Sequence, residues 1–343
     1  MKAVLLKGIG RMEIGEVAMS QIKGEKDVLL KIEAVGVCGS DVHYYRQGRI
    51  GDQIVQFPFI IGHECAAKVE AIGKGVTRVK VGERIVVDPA ISCGECDQCR
   101  VGRKNTCRNL KFLGCPGQVG GCLCEYIVMP EDCCYPYNKL SAGQAVLCEP
   151  LAIGLYAVRL AGLKAEDRIA ILGAGPIGLS CLISAIESGV KNCYVTEPIE
   201  ARQQAAVNNG AIWVGNPDKE KIVGEILRRE PAGVDAVFEC AGKQETIDEA
   251  IELLKPAGKL MLVGIPREDK VSFDIHKMRR KALKIINVRR QNDCTADCIE
   301  MIEKGRINVD FMLTHRFKPE EATEAFEMVA DYRDGVIKAV IEF

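Results

Sequence analysis

Residues 169–186 read IAILGAGPIGLSCLISAI. Eighteen residues without a charge stand at the lower limit of length for crossing a bilayer. Gly173, Gly175, Pro176 and Gly178, however, place a turn in the middle of the run. The stretch therefore reads as a buried strand, a glycine turn and a buried helix. Gly173-x-Gly175-x-x-Gly178 allows the tight turn and the close approach of a pyrophosphate, which sits on the helix N-terminus. Gly173, Gly175, Pro176, Ile177 and Gly178 are thus the expected phosphate-side residues. The pattern alone is weak, but its context agrees. Glu197 closes the next apolar strand (CYVTEP), where a carboxylate binds both ribose hydroxyls of NAD and repels a 2′-phosphate. Arg202 lies near enough to stack on adenine or to hold a phosphate.

Outward from this turn, residues 151–287 alternate apolar strands with helical stretches. The strands are expected at Arg168–Leu172, Asn192–Thr196, 236–240 and 259–264, the helices at 201–208 and 247–254. That alternation marks a parallel sheet flanked by helices. From Lys2 to about Glu149 the apolar runs are short and broken by Gly, Pro and Asn, as at 28–37, 66–72 and Arg84–Val87, which predicts a β-rich domain. The tail, 288–343, holds one further helix (319–331) and a final strand (337–343), and the residues alone assign it to neither domain.

A chain of 343 residues suits two domains. A net charge of −1, with Lys and Arg spread along the chain, gives no electrostatic case for nucleic acid or membrane as the main partner. Seventeen cysteines is high, and the odd count forbids complete internal pairing. Residues 1–10 (MKAVLLKGIG) do not resemble a signal peptide, so a reducing cytoplasm is expected, with cysteines as metal ligands and small buried hydrophobes.

Four of those cysteines fall in CGECDQCRVGRKNTC: Cys93, Cys96, Cys99 and Cys107. Four thiolates close a tetrahedral zinc site, and a closed site is structural because no position is left for substrate. A redox pair would want one CxxC in a thioredoxin-like unit, which is not visible. A nucleic-acid zinc module would want aromatic residues among Arg100, Arg103, Lys104 and Arg108, and none is there. The reactive chemistry is therefore to be sought elsewhere.

The chain has only four histidines. His63 and Glu64 end the apolar run PFIIGHE, and Cys38 stands in GVCGSDVHYY; both places are expected strand ends. Cys, His and carboxylate are zinc ligand types that leave a fourth position open. The alternative is a buried Cys and an unrelated His. Asp41 can serve as the carboxylate partner of a metal-bound histidine. Ser40 and His43 either pass a proton from a buried alcohol to water or form a polar turn. Glu149, before Pro150, either faces a cleft or caps a helix.

Together these pieces resemble the zinc-dependent medium-chain dehydrogenases, and within them the sorbitol (polyol) dehydrogenase group. CGSDVHYY, GRIG, PFIIGHE, the four-cysteine loop, CEPLAIGLYAV and LGAGPIGL fall in the family's order over essentially the whole chain. The resemblance implies a GroES-like β-rich catalytic domain (1–149 and 288–343, with the zinc lobe at about 90–110) and a Rossmann NAD-binding domain (150–287). It implies Cys38, His63 and Glu64 as catalytic zinc ligands, and Glu149 as a carboxylate that approaches the zinc or holds its water. Ser40 and His43 match the proton-relay region, and the four clustered cysteines match the structural zinc. Two zinc ions per chain, NAD, a homodimer or homotetramer, and a cleft where substrate meets nicotinamide follow from the same resemblance. Tyr44 and Phe112 fall on two substrate-pocket positions. The third, an Arg-Tyr pair in the polyol group, here reads Arg289-Arg290. The second arginine is either a surface residue or favours a phosphorylated, acidic or heavily hydroxylated substrate. Threonine and butanediol dehydrogenases share this metal and cofactor logic, and a binding protein without chemistry is a remoter alternative that the intact Cys38, His63 and Glu64 oppose.

Overall fold

The structure, a computed structural model, describes all residues from Met1 to Phe343. The chain divides into two units, Met1–Glu149 with Thr295–Phe343, and Pro150–Cys294.

The second unit carries a six-stranded sheet in which every neighbouring pair is parallel. Across the sheet the strands run Trp213–Gly215, Asn192–Thr196, Arg168–Leu172, Val234–Glu239, Leu254–Leu262 and Lys284–Asn287. Numbered within the unit, this is the order 3-2-1-4-5-6 of the doubly wound dinucleotide fold. Ile169, Ala170, Ile171 and Leu172 are all fully buried, because helices cover both faces, and this is why the strand shows no alternation. The glycine turn follows it directly, and the helix Pro176–Glu187 begins with Gly175 as N-cap and Pro176 in its first turn.

The first unit is built on a seven-stranded sheet. Its spine runs Cys134–Tyr137, Arg84–Val87, Glu64–Ile72, Asp27–Gly36, Lys338–Glu342 and Leu313–Phe317, with Tyr126–Pro130 also pairing to Asp27–Gly36. Gly36 is opposite Glu64 on one side and Val340 on the other. The C-terminal strand therefore lies inside the sheet, and only the Gly36 end of Asp27–Gly36 separates it from the start of the strand that carries Glu64. Buried Glu131 ties three segments together: it accepts from Lys26 Nζ at 2.5 Å and from the N–H groups of Thr77 and Arg78 at 2.7 and 2.9 Å. The Lys26 bond and the two N–H groups hold its carboxyl down at about 2.

Several expectations change. Residues 39–45 do not form a turn but a helix, Gly39–Gln47, closed by Gly48 in the left-handed region (φ 69°). His63 and Glu64 do not end a strand; Glu64 opens one, Glu64–Ile72. Pro150 lies inside a long helix, Ala142–Ala161, so Glu149 is mid-helix and not a cap. By length and composition that helix would cross a membrane, but 72% of its most apolar window is buried inside the protein. The tail holds a helix at Thr295–Glu303 and a strand at Leu313–Phe317 besides the expected pair. Residues 288–294 group with the second unit, so the return to the first comes slightly later than position 288.

Candidate active site

The four-cysteine loop folds into a knuckle around a short helix, Asp97–Arg100. Cys93, Cys96, Cys99 and Cys107 bring their sulfurs within 4.8 Å of one another, with Cys93–Cys107 at 3.4 Å and Cys96–Cys99 at 3.6 Å. Backbone N–H groups of Arg108 and Cys99 aim at Cys96 and push its thiol down to about 6; those of Glu95 and Cys96 lower Cys93. Burial, with the neighbouring sulfurs, pushes Cys99 up to about 12. Amides that favour thiolates, around sulfurs too crowded to be thiolates together, fit a divalent cation at the centre. The lobe's ends are tied by pairing of Ala90–Ile91 with Lys111–Phe112.

Phe112 leads to the second cluster, its ring 5.2 Å from that of His63. Cys38 is the N-cap of the helix Gly39–Gln47, and Glu64 opens its strand, so both side chains are placed by element ends. One ligand atom each from Cys38, His63 and Glu64 lies within 4.8 Å of the others. Asp41, fully buried one turn into the helix, sets Oδ1 and Oδ2 3.3 and 3.2 Å from His63 Nδ1, leaving Nε2 for a metal. Burial opposes a proton on His63, but Asp41 and Cys38 outweigh it and hold the pKa well above the ordinary imidazole value. Protein groups alone thus make this a place that favours positive charge, and the sulfur, nitrogen and oxygen donors suit zinc.

Glu149 is buried nearby but is not among the converging ligand atoms. Burial raises its pKa to about 7, with His63 lowering and Glu64 raising it. Ser40 donates to Cys38 Sγ at 3.3 Å, and His43 follows one helical turn later. Tyr44 is 5% exposed and donates its hydroxyl to Gln53 Oε1 at 2.9 Å.

One partner of this cluster was not singled out from the sequence. Lys338 Nζ donates to both oxygens of Glu64, at 2.8 and 2.6 Å. Burial works against its charge, but Glu64 and Cys38 outweigh that and raise its pKa. A lone lysine inside the apolar run GVIKAVIEF was the available signal.

In the second unit, Gly173 has φ 99°, and a Cβ on Gly178 would lie 1.8 Å from Gly173 O, so only glycine lets helix and turn meet. Glu197 is buried; it accepts from the N–H of Ala174 at 2.8 Å and of Ile199 at 3.1 Å. Those bonds fix the carboxylate between the glycine turn and the following loop. Arg202 reaches to within 3.8 Å of where a Gly175 Cβ would stand, over the same turn. Arg289 and Arg290 follow the last parallel strand at its C-terminal end, and Arg290 is left-handed (φ 54°).

A Lewis-acid centre and a dinucleotide turn in one chain are the equipment of a metal-assisted, nicotinamide-dependent dehydrogenase. Comparison with known proteins agrees. The alcohol dehydrogenase GroES-like domain matches residues 24–139 and the zinc-binding dehydrogenase domain residues 176–304. Sorbitol dehydrogenase of Bacillus subtilis (strain 168) is 32% identical, covering 99% of this chain and 97% of its own length. A solved Escherichia coli oxidoreductase/dehydrogenase of unknown specificity superposes with a TM-score of 0.93 at 33% identity, over 99% and 98% of the two chains. A zinc-binding dehydrogenase structure from Sinorhizobium meliloti 1021, bound to NADP, gives 0.90 at 30% identity, over 100% and 99%. The chain belongs to the zinc-dependent medium-chain dehydrogenases, in the sorbitol (polyol) dehydrogenase group.

Proposed function

We propose that the protein oxidises a secondary alcohol of a polyol, of the sorbitol or xylitol kind, to a ketone, with the hydride passing to NAD. The observation that carries this is the convergence of Cys38, His63 and Glu64 beside the buried Asp41. Bound zinc would supply a Lewis acid that lowers the pKa of the substrate hydroxyl. Bound NAD would accept the hydride.

The remaining work falls to this chain's side chains. Asp41 fixes the tautomer and direction of His63. Phe112 forms an apolar wall against the imidazole. Ser40 and His43, one turn apart, are assigned to moving the hydroxyl proton outward. Glu149, poised near neutrality, is a carboxyl able to take or give a proton at working pH. Tyr44 and Arg289 are assigned to further hydroxyls of the substrate. Glu197 is assigned to the cofactor ribose, with Arg202 at the turn beside it. The four thiols of the lobe would hold a second zinc, which would serve stability.

We also propose a cytoplasmic homo-oligomer. No disulfide joins any two of the seventeen cysteines, which suits a reducing compartment. The edge strand Lys284–Asn287, largely exposed, offers an unpaired ladder to a second copy.

The test follows NADH formation over sorbitol, xylitol, a phosphorylated polyol, 2,3-butanediol, threonine and ethanol. Polyols should show the highest kcat/KM, because a site built to bond hydroxyls discriminates strongly against substrates that lack them. Ethanol or threonine as best substrate would overturn the polyol reading. A marked preference for the phosphorylated polyol, abolished by Arg290→Ala, would assign Arg290 to the anion.

A further inference from the structure

Lys338 stands on the strand Lys338–Glu342 with 2% of its surface exposed. Its ammonium bonds both oxygens of Glu64 and, at 3.2 Å, the carbonyl of Val37. An ammonium has three protons, and three acceptors surround this one. Val37 precedes Cys38, and Glu64 follows His63, so one side chain from the far end of the sequence grips the neighbours of two metal-ligand candidates. Room for the pair comes from Gly36: a Cβ there would lie 2.3 Å from Glu64 Oε2.

Buried ion pairs are weak stabilisers, since desolvation offsets most of the attraction and a well-packed apolar pair does as well. Stability alone therefore does not account for a lysine here. Charge does. A Cys38 thiolate and a fully committed Glu64 carboxylate together cancel a divalent ion. With Lys338 on Glu64, part of the carboxylate's charge is spent on the ammonium, and a bound zinc ion would be less fully neutralised by its ligands.

We propose that Lys338 is a positioning residue that restrains Glu64 from full ligation, and so sets both the grip on the metal and the availability of its fourth position. This rests on the zinc-dehydrogenase reading of the same site.

The test compares full-length, zinc-loaded wild type with Lys338→Met, Lys338→Arg, Glu64→Gln and the double variant Lys338→Met/Glu64→Gln. Zinc affinity at the Cys38 site is read by chelator competition, and ligand geometry from the visible spectrum after cobalt exchange. In Lys338→Met the freed carboxylate should turn to the metal: zinc should bind about tenfold tighter, the scale on which outer-shell partners act. The cobalt spectrum should shift and kcat should fall more than KM. Lys338→Arg should restore the wild-type spectrum. The cobalt spectrum of the double variant should match that of Glu64→Gln, because Lys338 sets ligand geometry through the Glu64 carboxylate. Should Lys338→Met fail to fold, Lys338→Gln, which can still hydrogen-bond Glu64 but carries no charge, is read in the same way. Unchanged or weaker zinc binding with an unchanged spectrum in the uncharged Lys338 variant, or a double variant whose cobalt spectrum differs from that of Glu64→Gln, overturns the proposal. A wild type that binds zinc at this site but oxidises no alcohol would instead sink the functional reading.

Discussion

Asp41→Asn changes one oxygen to nitrogen in a fully buried side chain. The amide can keep the bond from Gly62 N–H, now 3.3 Å from Oδ1, so the loop ahead of His63 should hold its shape. What goes is the charge facing His63 Nδ1 and the guarantee that Nδ1 carries the proton. If the amide nitrogen faces Nδ1, the ring takes the other tautomer, and Nε2 is protonated where a metal needs a lone pair. Losing such a partner costs 10- to 100-fold in metal affinity, or about 1.4–2.8 kcal/mol. The buried setting, where no water replaces the lost oxygen, puts the expectation in the upper half of that range. Chelator competition on the full chain, with zinc counted per chain, reads the effect; the lobe zinc should stay.

The pH dependence gives a second reading. Burial opposes the His63 proton, but Asp41 and Cys38 raise its pKa, so in wild type a proton begins to displace zinc at a pH above the ordinary imidazole titration and does so increasingly as pH falls. Without the Asp41 charge that competition should start at lower pH, although the metal is held less tightly throughout. Zinc affinity unchanged at neutral pH, with the same pH dependence as wild type, would refute the role given to Asp41.

Cys96→Ser should release the lobe zinc and keep the catalytic one, with a stability loss on the order of a few kcal/mol visible in the melting temperature; equal zinc content in variant and wild type would count against the four-thiol site. Glu131→Gln keeps one acceptor oxygen where two were used, so its NH2 must face either the Lys26 ammonium or the N–H groups of Thr77 and Arg78, for a loss of roughly 1.5–3 kcal/mol at neutral pH. The Glu131 carboxyl titrates at about 2 in the fold against an ordinary 4.5, so its contribution is complete above the higher value and disappears as pH falls through the lower. Unfolding of both proteins from pH 7 to 2 should show the gap closing, and a gap that stays constant contradicts it. Glu197→Ala should raise the KM for NAD and narrow the preference over NADP. An NADP to NAD ratio that does not move would place cofactor choice elsewhere.

In the second unit the central strands were legible because they are covered on both faces, whereas the edge strands Trp213–Gly215 and Lys284–Asn287 carry no such apolar run and were not expected. Arg168–Leu172 and Asn192–Thr196 have apolar centres (Ile169–Leu172 and Cys193–Val195), and their bounds in the structure are those expected. The helix Gly39–Gln47 was not legible. Its sequence, GSDVHYYRQ, buries only Asp41, Tyr44 and Tyr45, so no apolar period announces it. Thr295–Glu303 escaped notice although Cys298, Ile299, Met301 and Ile302 face inward, since cysteine and methionine are weak markers of a stripe. In the site, Asp41 was readable as a partner for His63 because carboxylates recur behind metal-bound imidazoles. Lys338 was not, because the pair spans 274 positions and only the sheet register brings them together.

The place of Lys338–Glu342 in the sheet also has a consequence for how the chain is made. Met1–Glu149 emerges from the ribosome before Pro150–Cys294, yet its sheet lacks an inner strand until Lys338–Glu342 appears. Pro150–Cys294, contiguous in sequence, has all its strands while the C-terminus is still being translated. The half made first is completed last, and until then the Ala34–Gly36 end of Asp27–Gly36 waits with one edge open, the rest of that edge being covered by Tyr126–Pro130. A nascent chain stopped after Val336 would carry a whole nucleotide-binding unit and an unfinished catalytic one, exposing an aggregation-prone edge to the cell's chaperones and proteases.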